Sequence, residues 1–391
     1  MERVHPEFNP LTTPSAKPSK KTLRPHLNKL ALNTRGQKST IQCVDPTPIP
    51  YLRLRMDSLS QAVLGAATFG VVMERQIGKK ALLIGAVAGT LPDLDVIARA
   101  FMDELDFMGV HRGISHSFLL TVLISPALGY LFHRWFKEKY TLKRWTFAFF
   151  LAIFTHILLD CCTTYGTKVW MPFSDALVAW NTVFVIDPAY TLPLLFACLI
   201  VAFRKRFAPG NIRILNWGLV LSTLYLVWGA VAQNIARSEF EASLAAEGLA
   251  YNEIMVTPTP FNTLLWTGTA KTDDGYYVGS YSLLDDREQV AFSYISAQME
   301  LINGYRDNER VKKMLHFANG YAIARQEDPE TIKVYSIKFG PMNAEEEPRY
   351  FFPMVIQTKA GSEPLIFVDE SREGMEPEKA FPLLIERLKG I

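Results

Sequence analysis

The sequence predicts a polytopic α-helical membrane domain followed by a soluble α+β domain. The middle of the chain holds a series of long apolar stretches, whereas the last part is polar and acidic. Residues 1–55 carry ten Lys and Arg against three Asp and Glu, residues 56–236 carry fifteen against eleven, and residues 237–391 carry sixteen against twenty-five. We therefore expect a basic, disordered tail, a membrane domain and a soluble domain, in that order.

The membrane domain should contain about six helices, because a spanning helix needs about 20 apolar residues. The candidate stretches are residues 57–73, 81–98, 116–133, 145–164, 186–203 and 214–235. The first is short and rich in small residues, which allow helices to pack closely. The second contains Pro92, which removes a backbone donor and is expected to break the helix.

The orientation follows from the basic residues of the short loops. The loops after the first, third and fifth stretches hold twelve Lys and Arg, whereas the loops after the second and fourth hold few. Because loops rich in Lys and Arg stay in the cytoplasm, we expect the C-terminal domain to be extracytoplasmic.

The basic tail, residues 1–55, conflicts with this orientation. It lacks the apolar core of a secretory signal, and its composition is typical of disorder. Met56 stands directly before the first stretch, so we interpret it as the start of translation. The alternative is a genuine cytoplasmic tail, which would make the first stretch re-entrant. The four cysteines form no C-x-x-C pair and indicate neither a disulfide framework nor a cysteine zinc site.

Ionisable residues within membrane segments mark functional sites, and here they fall in three short motifs. Two carboxylates follow Pro92, two histidines precede the third stretch, and an imidazole and a carboxylate share one helix face at i, i+4 in the fourth. Given the orientation and a rise of about 1.5 Å per residue, all six side chains lie at one level of the membrane. We predict that they form a metal site: Asp93, Asp95, His111, His116, His156 and Asp160.

Imidazole suits zinc and carboxylates suit manganese or magnesium, so we expect zinc or manganese. Six donors exceed those of one catalytic zinc. This favours two ions, or one ion with a carboxylate that holds a ligating histidine. Arg112 and Asp95 are the candidate catalytic residues, with Arg112 as a clamp for a phosphate or carboxylate of the substrate. Asp57 and Gln61, one helical turn apart, are expected to complete the surroundings of the site.

Each motif also has a structural interpretation. His156 and Asp160 could be a buried hydrogen-bonded pair that ties helices together. Asp93 and Asp95 could lie in a solvated loop or cap a helix, and the two remaining histidines could lie at the interface. A common depth of all three motifs favours a site over three separate structural roles.

The motifs resemble those of the YdjM-like family of bacterial inner-membrane, metal-dependent hydrolases. The resemblance rests on Met56-Asp57-Ser58-Leu59-Ser60-Gln61, Gly89-x-x-Pro92-Asp93-Leu94-Asp95, His111-Arg112-Gly113-x-x-His116-Ser117 and His156-x-x-x-Asp160. It covers roughly residues 56–236 and implies hydrolysis in the bacterial inner membrane, without naming a substrate.

Residues 237–391 are expected to begin as a polar helix over 239–249. Alternating segments predict strands at 264–271, 276–284, 332–339 and 350–358, and a helix is predicted over 380–388. We expect one sheet with flanking helices. This domain either caps the site or binds a partner.

The function expected from these features is hydrolysis of an ester or phosphoester at the outer face of the membrane. Membrane lipids are the expected partners and a lipid is the expected substrate; nucleic acid is not expected, and the sequence identifies no protein partner. Two other classes stay open. Intramembrane Asp and His residues also serve ion-coupled transporters, and the metal could be structural in a membrane-anchored binding protein.

Overall fold

The computed structural model describes residues 58–137, 140–286, 289–340, 350, 352–358, 363–369 and 377–390. The expectations for residues 1–55, for a start at Met56 and for Asp57 lie outside the described residues.

The first part of the described chain is helical. Its α-helices are α1 (Ser58–Ile77), α2 (Lys80–Thr90), α3 (Glu104–Val110), α4 (Phe118–Trp135), α5 (Leu142–Cys162), α6 (Pro188–Phe203) and α7 (Asn211–Ala246), with 3-10 helices at Pro92–Ala100 and Ile114–His116. These elements correspond to the six predicted stretches, together with α3 and the short 3-10 turn, which the apolar pattern does not predict.

Three of these helices, α4, α5 and α7, are long and apolar enough to cross a membrane, and the bent pair Lys80–Thr90 with Pro92–Ala100 makes a fourth candidate. The apolar helix α6 has 16 residues and is shorter than a usual span. The described chain therefore has three or four candidate spans, which supports a multi-pass protein but is fewer than the six predicted.

The predicted break at Pro92 is confirmed. The two halves of the second stretch are bent by 54°, and Pro92 is the first residue of the 3-10 helix, where its missing N–H leaves no helical hydrogen bond unmade. The bend turns the carboxylates that follow it out of the line of α2.

Close packing of the small residues of α1 is also confirmed. A Cβ added to Gly65 would lie 2.6 Å from the Cα of Gly89, so the backbones of α1 and α2 are in contact. Large side chains fill the other faces of these helices, among them Phe69 and Trp145, which are both fully buried. This contact fixes the carbonyl of Gly89 beside the first turns of α1.

The second part of the described chain contains strands β1 (Glu253–Pro258), β2 (Leu265–Lys271), β3 (Gly275–Ser282), β4 (Phe292–Ser296), β5 (Ala322–Asp328), β6 (Thr331–Ser336), β7 (Met354–Gln357) and β8 (Leu365–Val368), with helices α8 (Glu309–Ala318) and α9 (Pro377–Leu388). The expectation of one sheet is wrong. The strands form two antiparallel sheets, β1-β2-β3-β4 and β5-β6-β7-β8. The 3-10 helix Met299–Tyr305 and α8 separate β4 from β5 in the chain. Strands β5 to β8 pair with one another.

Two elements of the helical part reach the C-terminal domain. The predicted polar extension is confirmed, since α7 continues to Ala246, and its fully buried Phe240 packs with Val256 and Trp266 of the first sheet. In addition, Leu105 and Met108 of α3 belong to the hydrophobic core formed by α8 and the second sheet. The segment just before His111 is thus part of the core of the C-terminal domain.

Candidate metal centre

Four of the six predicted ligands come together in one group. Asp93 lies on the 3-10 helix after the bend, His116 ends the second 3-10 helix, and His156 and Asp160 lie one turn apart on α5. One donor atom from each residue lies within 4.8 Å of the other three. His116 and His156 are fully buried and Asp160 nearly so, while 15 % of the Asp93 side chain is exposed.

The donor atoms converge on a common point. The Nε2 atoms of His116 and His156 are 3.1 Å apart, and they lie 3.4 and 3.5 Å from Oδ1 of Asp93. The same nitrogens lie 3.2 and 3.5 Å from Oδ2 of Asp160. Oδ2 of Asp93 and Oδ2 of Asp160 are buried without a hydrogen-bond donor, which is unfavourable for a carboxylate unless a cation neutralises it.

The other ring nitrogen of each histidine is held by the protein. Nδ1 of His156 lies 2.6 Å from the carbonyl oxygen of Gly89. Because a carbonyl only accepts, Nδ1 donates to it, and Nε2 faces the centre of the group. Nδ1 of His116 lies 2.9 Å from Oγ of Ser115 and 3.5 Å from Oδ2 of Asp95. Contacts of this kind orient metal-binding histidines and fix their tautomers.

Asp160 is held in the same manner. Its Oδ1 accepts from Nε2 of Gln61 at 2.9 Å and lies 3.0 Å from Nη2 of Arg112. Nη1 of Arg112 also donates to Oγ1 of Thr163 at 2.8 Å. Both donors bind one oxygen of the carboxylate, so the other oxygen is left for the centre of the group.

The remaining two predicted ligands, Asp95 and His111, lie beside the group and contact each other. Oδ1 of Asp95 is 2.8 Å from Nδ1 of His111, and its Oδ2 accepts from Oγ of Ser115 and from the backbone N–H of Arg112. Burial lowers the pKa of His111, against the opposing attraction of Asp95. In this arrangement Asp95 supports His116 and shapes the loop.

The predicted surroundings of the site are present in part. Gln61 contacts Asp160, as described above. The side chain of Arg112 is only 2 % exposed, and the structure places its guanidinium against Asp160, so its role as a substrate clamp stays a prediction. Sequence reasoning missed the contacts of Thr163 and of the Gly89 carbonyl, because a hydroxyl or a backbone oxygen among apolar residues carries no recognisable pattern.

The group reaches the surface next to apolar side chains. Asp93 is its most exposed member, and the neighbouring residues Leu94, Ile97 and Phe101 are 52 %, 59 % and 83 % exposed. The 3-10 helix that carries Asp93 therefore also exposes large apolar side chains in the membrane region.

A comparison with known families agrees with these observations. Residues 56–236 match the family model described as YdjM inner membrane protein. Neither a curated protein nor a solved structure matches the chain.

Proposed function

Because residues 56–236 match the YdjM inner membrane protein family and the buried group has the geometry described above, we propose that the protein is a membrane-embedded, metal-dependent hydrolase. The observation that carries the proposal is the convergence of two imidazoles and two carboxylates within 4.8 Å. The ionisable cluster lies next to apolar spans, where such groups mark function.

The four metal-binding side chains fit one divalent cation. Two Nε2 atoms face each other at 3.1 Å, two carboxylate oxygens lack donors, and the outer atoms of three residues, His116, His156 and Asp160, are tied to the protein. A set of two nitrogens and two carboxylate oxygens suits zinc or manganese. When bound, such an ion supplies Lewis acidity, which polarises a carbonyl or phosphoryl oxygen and acidifies water.

The protein itself orients the metal-binding side chains and excludes water from them. Arg112 and Gln61 hold one oxygen of Asp160, so that its second oxygen keeps one direction. Asp95 and Ser115 hold the ring of His116. Because the two histidines are fully buried and Asp93 is the most exposed member of the group, the side of Asp93 is the proposed place for a scissile bond.

The proposed substrate is an ester or phosphoester of a membrane lipid. Support comes from the exposed apolar side chains of Leu94, Ile97 and Phe101, which follow Asp93 in the chain within eight residues. A lipid can reach this edge from the bilayer without leaving it. The basic loops favour the outer leaflet as its source, with the C-terminal domain on the same side.

Metal analysis of the purified full-length protein tests the centre. The wild type should retain zinc or manganese at about one ion per chain, and His156→Ala with Asp160→Ala should retain almost none. His133→Ala is the control, because Nδ1 of His133 contacts the carbonyl oxygen of Tyr140 and not the group. Equal and near-zero metal in all three proteins would contradict the proposal.

Lipid vesicles test the reaction. The metal-loaded wild type in phospholipid vesicles should release fatty acid or a phosphate headgroup, and the double variant should not. Passage of metal ions across the vesicle membrane without any hydrolysis would instead indicate a transporter.

A further inference from the structure

One lysine of the C-terminal domain is buried against the loop that follows Asp160. Lys338 is 3 % exposed, and its Nζ donates to the carbonyl oxygens of Tyr165 at 2.8 Å and Phe317 at 2.7 Å. The same nitrogen lies 3.8 Å from the centre of the Phe317 ring and 5.1 Å from that of Phe339. Among the described residues no carboxylate forms an ion pair with Lys338.

A gain in the stability of the folded protein does not explain why a lysine is buried at position 338. Burial lowers the pKa of Lys338 well below its usual value, and the nearby charge of Arg112 lowers it further. Taking an amine out of water is unfavourable, and its two hydrogen bonds offset only part of this cost. The hydrogen bonds of Lys338 join the carbonyls of Tyr165 and Phe317, which indicates that the lysine positions these two segments.

Tyr165 connects Lys338 with the buried group. The guanidinium of Arg112 lies over its ring, 5.0 Å from the centre, and the ring of His111 meets it at 5.5 Å with an angle of 77°. Arg112 in turn holds Oδ1 of Asp160 at 3.0 Å. A continuous series of contacts therefore runs from Lys338 through Tyr165 and Arg112 to a carboxylate of the centre.

The C-terminal domain also holds the segment on the other side of the centre. Leu105 and Met108 of α3 lie in its core. Outside that core, Nη2 of Arg310 lies 2.8 Å from Oδ2 of Asp103, and Nζ of Lys313 lies 2.6 Å from Oδ1 of Asp106. The chain is thus fixed by the same domain shortly before His111 and shortly after Asp160.

We propose that Lys338 is a positioning residue of the metal centre, which sets the direction of the Asp160 carboxylate through Tyr165 and Arg112. This inference rests on the metal centre proposed above. It makes the C-terminal domain a part of the centre, since a side chain of that domain binds the loop that follows Asp160.

The test compares Lys338→Met with Lys271→Met in the full-length protein loaded with cobalt, whose absorption depends on the number and arrangement of its ligands. Lys271 lies in the same domain, near the ring of Tyr321 and paired with Glu253, so it is a matched control. Lys338→Met should weaken cobalt binding about tenfold, the low end of the range for residues that orient ligands, and should shift the absorption bands. Its melting temperature should fall only slightly, as expected for the loss of two buried hydrogen bonds, and Lys271→Met should leave affinity and bands unchanged.

Tyr165→Leu provides a second, independent variant. It should weaken cobalt binding to a similar extent, and the double variant should be little worse than either single one, because both act through one series of contacts. If Lys338→Met does not fold, Tyr165→Leu decides alone, and an unchanged affinity in it overturns the proposal.

Three further outcomes separate this proposal from the metal centre itself. Wild type that binds cobalt, with identical binding and spectrum in Lys338→Met, overturns the role of Lys338 and leaves the centre intact. A loss of melting temperature with unshifted bands has the same consequence, because it shows a purely structural role. Wild type that binds no cobalt overturns both.

Discussion

The two carboxylates that follow Pro92 have different surroundings although they are two positions apart. Oδ1 of Asp93 faces the Nε2 atoms of His116 and His156, whereas Asp95 contacts His111, Ser115 and the outer nitrogen of His116. A 3-10 helix has about three residues per turn, so residues two apart point to different sides. One carboxylate can hold an ion while the other holds a histidine.

Substitution of the two kinds of carboxylate should therefore have unequal effects. Asp160→Asn removes a charged donor from the group and should weaken zinc binding more than about 100-fold. Asp95→Asn only loosens a histidine and should weaken it about 10- to 100-fold, the usual range for residues that orient ligands. Competition with a chromophoric chelator measures both affinities. A larger loss in Asp95→Asn would show that Asp95 is itself a ligand.

Lys338 should make the stability of the protein depend on pH in a defined direction. Its pKa in the folded protein is lowered by burial, whereas in the unfolded chain it is about 10.4. Unfolding therefore takes up a proton at any pH between these two values, and the stability contributed by this residue rises with pH until about 10.4.

Melting temperatures of the wild type and Lys338→Met, measured in detergent from pH 7 to pH 10, isolate this effect, because other groups cancel in the difference. The melting temperature of the wild type should rise relative to that of the variant as the pH increases. A constant or falling difference would show that Lys338 is charged in the folded protein.

At the residue scale, the sequence predicts function best where ionisable side chains stand within apolar segments. His156 and Asp160 could be predicted because ionisable side chains are unusual within an apolar stretch, and their spacing puts them on one helix face. The separation of Asp93 and His116 from Asp95 and His111 could not be predicted, because it depends on the directions in which a bent backbone presents neighbouring side chains.

At the scale of elements, the contact between α1 and α2 is the least tolerant part of the site. A Cβ at Gly89 would lie 2.6 Å from the carbonyl oxygen of Gln61 and 2.8 Å from the Cα of Gly65. Both neighbours are backbone atoms, which cannot rotate away. Any added side chain must separate the two helices, and the Gly89 carbonyl that holds His156 would move with them.

Gly89→Ala should therefore impair both stability and metal binding. Overpacking of this kind destabilises by about 1–3 kcal/mol, and displacement of the carbonyl should weaken zinc binding as well. Gly304→Ala is the matched control, since an added Cβ there meets nothing within 4 Å. Thermal unfolding and zinc titration of both variants measure the two effects. Normal zinc binding in Gly89→Ala would show that the helix contact does not position the site.

The elements themselves were predicted to different degrees. The alternation of apolar residues identified β2, β3, β6 and β7, and α9 was found within a few residues of its ends. The strands β1, β4, β5 and β8 were missed because several of them are short or carry exposed side chains on both faces. The division into two sheets was missed because alternation identifies a strand and says nothing about its partner.

At the scale of the whole molecule, α3 and the C-terminal domain must lie on the same side of the membrane, because Leu105 and Met108 are part of that domain's core. An even number of crossings must therefore separate them. The helices α4, α5 and α7 are candidates for three crossings, so we expect α6 to cross as well, in spite of its 16 residues. Contacts at both ends of α6 agree with a crossing. Before α6, Asp187 accepts a hydrogen bond from Tyr225, which Thr263 of the C-terminal domain also contacts. After α6, Arg206 donates to the carbonyl oxygen of Ile77.

Fusions of a reporter that is active only outside the cytoplasm test this topology. A fusion after Ile391 should be active, and fusions after Arg144 and Arg206 should both be silent, because their loops are basic. Activity after Arg206 would show that α6 does not cross. Silence after Ile391 with activity after Arg144 would invert the molecule and make the inner leaflet the source of the substrate.

The insertion of α3 into the C-terminal core has a consequence for biogenesis. Asp106 and Lys313, which meet in the finished protein, are 207 positions apart in the chain. At about 5–20 residues per second of synthesis, roughly 10–40 seconds pass between the appearance of α3 and that of the helix that covers it. Throughout this interval the loop that carries His111 and His116 lacks its support, so an ion that arrives early meets loosely arranged donors. We therefore expect the proposed metal ion to be bound only after α8 has been synthesised.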